Sequence, residues 1–168
     1  AYAEEKGITV RNTPRASSDA VAELALGHMF SVARYISAAG HTMREGGWEK
    51  KAYKGSERAG RTVGIVGYGR IGQALGRRCQ ALGMRVLAYD IYQNPDLVCD
   101  TMRYVELDEL FAQSDIISLH VPSLPGQPLV NAETIAKMKD GVILINTSRG
   151  TNVDEDALLA AIESGKVY

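Results

Sequence analysis

The chain has 168 residues, 45% of them hydrophobic and 23% charged, enough apolar material for one well-filled globular core. Nineteen basic residues against twenty acidic ones leave a formal net charge of −1, so no electrostatic case exists for nucleic acid or an anionic membrane. Two cysteines, Cys79 and Cys99, stand twenty positions apart without a CxxC, which excludes a disulfide framework or a metal motif and fits a reducing, cytoplasmic compartment.

Residues 1–15 read as a segment leading in from another domain. They lack an initiator Met, carry no signal-peptide pattern, and enter a short apolar stretch at 8–10 with nothing before it to pair with. The far end, ESGKVY, stops at the start of a possible strand, and the chain reads as one cofactor-binding domain cut from a larger two-domain protein. No stretch approaches the roughly 18 uninterrupted apolar residues that a membrane span needs. The short basic clusters, Lys50, Lys51 and Lys54 or Arg77 and Arg78, read as solvated faces.

Ser17, Ser18 and Asp19 are N-cap candidates, and Glu23 adds charge to the first turn of a helix predicted to run to about residue 43. Val21, Leu24, Ala25, Leu26, Met29, Phe30, Val32, Ala33 and Ile36 cover more than one stripe of it. Such a helix is expected to be buried on more than one face, against its own sheet and against a second domain or partner subunit. Residues 16–60 therefore read as an interdomain or dimer helix followed by a loop that Gly46, Gly47 and Trp48 open. His28 reads as a satisfied, half-buried histidine and His41 as an exposed one.

From residue 61 onward a βα alternation takes over. Apolar runs predict strands at 62–66, 84–88, 116–119 and 142–145, with a weak fifth at 104–105. Helical spacing predicts helices at 70–82, 107–113, 131–138 and 154–163, and places Cys79 in the core beside Ile71 and Leu75. Strands without polar alternation, separated by helices, imply a doubly wound parallel α/β sheet covered on both faces.

Residues 62–76, TVGIVGYGRIGQALG, hold Gly67, Gly69 and Gly72 as G-x-G-x-x-G between a strand and a helix. The first glycine permits a tight turn, the second lets a pyrophosphate reach the backbone, and the third lets helix and strand pack closely. Asp90 follows the next strand, eighteen residues after Gly72, where an acid accepts hydrogen bonds from an adenosine ribose. The rival reading is a phosphate-free βαβ unit with a surface Asp, but strand, helix and acid all stand in register. An acid at this point repels a 2′-phosphate, which predicts NAD over NADP. Arg70 sits either beside the pyrophosphate or in solvent at the first helical position.

In a parallel sheet the carboxyl ends of all strands share one rim, where ligands bind. That rim should gather the glycine turn, Asp90, His120, Val121, Pro122, Asn146, Thr147, Ser148 and Arg149. Arg149 then projects toward the reactive end of a dinucleotide, where a guanidinium holds a carboxylate through two parallel hydrogen bonds. Its alternatives are to neutralise Asp154 or to cap its own loop.

The stretches AVAELALG, GWEKKAYKG, TVGIVGYGRIGQALG, MRVLAYD, LDELFAQSDIISLHVP, MKDGVILINTSRG and VDEDALLAAIESGK resemble the cofactor-binding domain of the D-isomer-specific 2-hydroxyacid dehydrogenases, closest in flavour to phosphoglycerate dehydrogenases. The resemblance implies a Rossmann-like NAD-binding domain over 61–168 that serves hydride transfer between NAD(H) and a 2-hydroxy or 2-oxo acid, 3-phosphoglycerate among the candidates. It implies that Arg149 binds the carboxylate and carbonyl of that acid, that Arg70 and Ile71 meet the pyrophosphate, and that Asp90 takes the adenosine ribose. It places His120, Val121, Pro122, Thr147 and Ser148 along the NAD, assigns no metal, and puts the 19–43 helix in a homodimer interface. It also puts the catalytic Glu and His beyond Tyr168, so the chain by itself is expected to be inactive. The same family includes NAD(H)-sensing corepressors, so a regulatory module without turnover is the alternative. Two departures stand out: SLPGQPLV replaces a TPET-like turn, with Gln127 in place of its Thr, and NPDLVCDTMRY lacks the glycine expected before the third strand.

Overall fold

The computed structural model describes residues 2–13, 16–123 and 125–168. Its centre is one sheet of five strands, β1 (Thr62–Val66), β2 (Arg85–Tyr89), β3 (Met102–Tyr104), β4 (Ile116–Leu119) and β5 (Ile143–Asn146). All neighbours run parallel, in the spatial order β3-β2-β1-β4-β5. The helices are α1 (Tyr2–Glu5), α2 (Ser18–Ala33), α3 (Ile36–Arg44), α4 (Arg70–Ala81), α5 (Leu107–Gln113), α6 (Ala132–Lys137) and α7 (Glu155–Glu163).

Period-two geometry splits each long strand between two cores. Val63 and Ile65 of β1, Val86 and Ala88 of β2, Ile116 of β4, and Ile143 and Ile145 of β5 face one side. There they meet Ala22, Ala25 and Met29 of α2 and Ala74, Leu75 and Cys79 of α4. Val66, Leu87, Ile117, Leu119 and Leu144 face the other side, under Leu110 and Phe111 of α5, Ile135 of α6 and Ala161 of α7. Each large side chain so buried contributes about 1.5–3 kcal/mol of transfer free energy. This two-sided burial explains why the strands read as unbroken apolar runs, and the doubly wound parallel α/β arrangement expected from them is present. Cys79 is fully buried, as its spacing predicts.

Element ends shift by a residue or two, mostly for a visible reason. Asn131 and Asp154 stand outside α6 and α7 as N-caps, accepting from Thr134 N (3.1 Å) and Ala157 N (3.1 Å) respectively. The third strand begins at Met102 rather than 104, and its missing glycine is dispensable. Cys99 and Met102 exchange backbone hydrogen bonds of 3.0 and 3.1 Å around Asp100 and Thr101, and neither turn residue has a positive φ.

The long first helix is a correction. It breaks at Tyr35, whose φ of 54° makes it the one non-glycine residue in the left-handed region among those described. The chain restarts as α3, and the Ser56 amide takes the carbonyl at the end of α2 (Ala33, 3.0 Å). No Gly or Pro marks this break in the sequence, and Tyr35 packs its ring 6.0 Å from that of Tyr53, a contact formed only in the fold. Within this chain α2 buries the stripe Ala22, Ala25, Met29 and Ala33, while Leu24 stays 53% exposed. His28 is exposed rather than half-buried, because it lies roughly 100° around the helix from that stripe, beyond its flank; His41 is exposed as expected. Ile8 and Val10 are exposed and form no strand. In the SLPGQPLV segment Leu124 lies outside the described residues, and Gln127 is exposed. Among the described residues no helix is long and apolar enough to cross a membrane, and no group of His, Cys, Asp and Glu is disposed to hold a metal.

Candidate active site on the carboxyl rim of the sheet

β1 ends at Val66 and α4 starts at Arg70, so three residues make the whole turn. Gly67 sits at φ +91°, where a Cβ would lie 2.6 Å from the His120 carbonyl oxygen. At Gly72 a Cβ would lie 2.3 Å from the Gly67 carbonyl oxygen. These two glycines are required by the fold itself. At Gly69 a Cβ would meet nothing within 4 Å, so no neighbour in the chain demands glycine there. The empty space lies at the N-cap of the twelve-residue α4, which has no side-chain cap, so its first-turn amides and positive dipole end face it. A pyrophosphate fits this cradle, and a side chain at Gly69 would fill it.

Asp90, just past β2, is fixed against the turn. One carboxylate oxygen accepts from Tyr68 N at 2.7 Å and the other from Tyr92 N at 2.9 Å. Each oxygen keeps a lone-pair site for a further donor. Tyr68, between the two turn glycines, was not singled out by the sequence pattern. Its ring is buried in the first core, edge-on to Tyr104 at 5.9 Å, and Gln73 Nε2 donates to its carbonyl at 3.0 Å. Arg70 is exposed at the first position of α4, and Ile71 beside it is half-buried.

On the other side of β1, His120 closes β4. Its amide donates to the Val66 carbonyl at 2.7 Å, and Nε2 lies 2.9 Å from Ser118 Oγ. Nδ1 is buried with no protein partner, and burial pushes the imidazole down to about 4, so the ring is neutral at physiological pH. Thr147 Oγ1, past β5, is a second buried polar atom without a partner. Val121 is half-buried and Pro122 exposed.

Asn152 is the residue that sequence reasoning missed. It is 1% exposed, and its Nδ2 donates to Val121 O (3.1 Å) and to Ser148 Oγ (3.1 Å), joining the loops after β4 and β5. Ser148 Oγ donates in turn to Asn146 Oδ1 (2.7 Å), and Asn146 Nδ2 to Arg149 O (2.9 Å). A polar residue in a loop sequence such as RGTNVD carries no mark of burial, so the pattern offers no signal for it. The Arg149 backbone is thus held in the network while its side chain is exposed, with Nη1 donating to Ser148 O at 2.8 Å. No ion pair with Asp154 forms among the described residues, because that carboxylate caps α7. Of the two alternatives for Arg149, bonding to its own loop is therefore the one observed.

The strand order places Asp90 at the end of β2 and Arg149 beyond the end of β5, with the glycine turn between. Three strand spacings separate the ends of β2 and β5, roughly 14 Å. The rim thus carries, in order, an acid, a helix N-terminus and a guanidinium.

Two expectations follow. Gly69→Val should leave unfolding free energy within about 0.5 kcal/mol while weakening NADH binding at least tenfold, whereas Gly72→Ala should cost about 1–3 kcal/mol of stability. Urea unfolding and fluorescence titration separate the two, and equal destabilisation by both would refute the distinction. His120 supplies a pH dependence. Its folded pKa of about 4 lies below the ordinary 6.5, so the unfolded chain binds the extra proton between those values. Stability should fall as pH drops from 6.5 towards 4, by roughly 3 kcal/mol in all, and His120→Gln should flatten that decline. Parallel urea midpoint-versus-pH curves for the two proteins would contradict it.

The model of the D-isomer specific 2-hydroxyacid dehydrogenase NAD binding domain matches residues 26–168. A hydroxypyruvate reductase of Thermotoga maritima is 52% identical over 168 residues, covering 99% of this chain and 54% of that protein. A D-3-phosphoglycerate dehydrogenase of Methanocaldococcus jannaschii is 42% identical, over 98% of this chain and 32% of its own length. The apo structure of D-lactate dehydrogenase from Escherichia coli superimposes with a TM-score of 0.90 at 37% identity, over 98% of this chain and 52% of that one. The chain thus spans about half the length of these relatives, or less. The glycine turn and the parallel sheet of this chain agree with that match, and this chain belongs to the D-isomer specific 2-hydroxyacid dehydrogenase family, as its NAD-binding domain.

Proposed function

We propose that the polypeptide carrying this domain transfers hydride between NAD(H) and a small 2-hydroxy or 2-oxo acid. The single observation behind this reading is the polarity of the rim: a backbone-held carboxylate at one end and an exposed, backbone-anchored guanidinium at the other. NAD supplies the hydride acceptor or donor, and the chain's own residues bind and orient. The N-terminus of α4 and its turn, with Gly67, Gly69, Arg70, Ile71 and Gly72, hold the pyrophosphate. Asp90 accepts from the adenosine ribose hydroxyls and repels a 2′-phosphate. His120, Val121, Pro122, Thr147 and Ser148 line the rest of the cofactor; the unpartnered Thr147 Oγ1 and His120 Nδ1 suit polar groups brought in by a ligand.

Arg149 is the catalytic residue of this chain. Its fork grips the substrate carboxylate, and it stabilises the charge that develops on the carbonyl oxygen during reduction. A proton must also reach that oxygen. His120 is a poor donor, since a group that titrates near 4 carries almost no proton at pH 7. We therefore assign the proton donor and its orienting carboxylate to another part of the polypeptide, as the resemblance implies. The same division gives the remaining substrate contacts to a second domain. Leu24, Ile36, Met43 and Trp48, left exposed on and beside α2 and α3, fit contact with that domain or a second copy of the chain. The relatives named above are catalysts by name, which favours turnover over a purely regulatory role.

The test is NADH oxidation by the full polypeptide across a panel of 2-oxo acids, hydroxypyruvate first because the most similar of the named relatives bears that name. Turnover of at least one acid is expected, and Arg149→Lys should lower kcat/KM by well over tenfold because an ammonium cannot reproduce the planar fork. NADH binding without turnover of any acid would overturn the reading. Asp90→Ala should erase most of the preference for NADH over NADPH in direct titrations; an unchanged ratio would remove Asp90 from the ribose role.

A further inference from the structure

At the opposite edge of the sheet, where the strands begin, lies a cavity of about 270 Å³ that the carboxyl rim does not reach. Its walls carry Lys54, Arg58, Arg61 and Lys139 against two acids, Asp115 and Asp140. Both acids are committed. Asp115 accepts from Lys139 Nζ (3.0 Å) and Thr62 N (2.9 Å), and Asp140 from Lys166 Nζ (2.7 Å). Burial opposes the charge on Asp115, yet the Thr62 amide and Lys139 more than offset it and hold the carboxyl below its usual range.

Arg58 is left without a counter-charge. It is 8% exposed, its Nε is buried with no partner, its Nη2 reaches only Ser56 Oγ, and no carboxylate stands within ion-pair distance among the described residues. Burial, then the facing charge of Arg61, pulls its pKa below the ordinary guanidinium value, with Asp115 only partly opposing. A buried N–H donor without a partner is a group that an anionic ligand's oxygen would satisfy.

We propose that this cavity is an anion-binding site for a phosphate dianion, free or carried as a phosphate monoester, with Arg58 as its buried anchor and Arg61 and Lys54 as further donors. Asp115 is shared by Lys139 and Arg61, and Asp140 is held by Lys166, so Arg58 and Lys54 line the cavity without an acid partner among the described residues, a pair of charges that suits a dianion. A planar fork with N–H groups turned to a cavity, one of them sealed from solvent, binds phosphate oxygens directionally.

The experiment uses the full polypeptide saturated with NADH, so that the glycine turn is already occupied and cannot take up phosphate. Inorganic phosphate and glycerol 2-phosphate are each titrated against chloride at constant ionic strength, with thermal unfolding and calorimetry as readouts. A saturable rise in Tm that chloride does not reproduce is expected. Arg58→Met and Arg61→Gln should each weaken phosphate binding at least tenfold while leaving the NADH Kd unchanged. A tighter response to the monoester identifies a phosphorylated metabolite as the source, and equal responses identify free phosphate. No response beyond chloride, or an undiminished response in the variants, overturns the proposal. So does a shift in dimer dissociation for Arg58→Met with no phosphate effect, which would show that a second copy supplies the counter-charge. If Arg58→Met fails to fold, Arg61→Gln decides alone.

Discussion

The close approach of the first turn of α4 to the end of β1 governs the rest of the rim. With no Cβ at Gly72, the helix comes so near that an added methyl would lie 2.3 Å from the Gly67 carbonyl. That proximity places the α4 N-terminus at the sheet edge and leaves a space over Gly69 that no side chain enters. Had the helix stood a side chain's width away, its first turn and Asp90 would no longer stand together at one edge of the sheet. Asp90 depends on the same turn, because the amide it accepts at 2.7 Å belongs to Tyr68.

The fold supports this turn by burying both faces of the sheet. Residues alternate along each strand between a core under α2 and α4 and a core under α5, α6 and α7, so a one-residue slip in register would exchange them wholesale. The candidate site therefore sits on the rim of a sheet packed on both faces. The loops after β4 and β5 are joined by side-chain hydrogen bonds through Asn152 and Ser148, by a backbone bridge between Val130 and Val153, and by the burial of those two valines in the second core. Close approach at the glycine turn and these links between the loops are separate means to one aligned rim.

Much of this was legible in the sequence because it is periodic or local. Unbroken apolar runs announce parallel strands, three glycines at fixed spacing announce the turn, and an acid after the next strand announces the far end of the rim. What stayed hidden depends on contacts between residues far apart in the chain. The break at Tyr35 has no glycine or proline to mark it, and the neighbouring ring of Tyr53 exists only in the fold. Burial of Asn152 and of Arg58 is equally invisible, since a polar residue in a loop is exposed by default. His28 was misjudged because apolar neighbours along a helix do not reveal which stripe faces inward.

Asn152 has a consequence for how this rim can change. One amide nitrogen serves two segments separated by some thirty residues of chain, the carbonyl of Val121 on one side and the hydroxyl of Ser148 on the other. Transplanting either segment from another protein without its counterpart would strand a sealed-in donor. The two stretches thus form a matched pair, and a graft at this edge must carry the stitch along with both pieces of cloth.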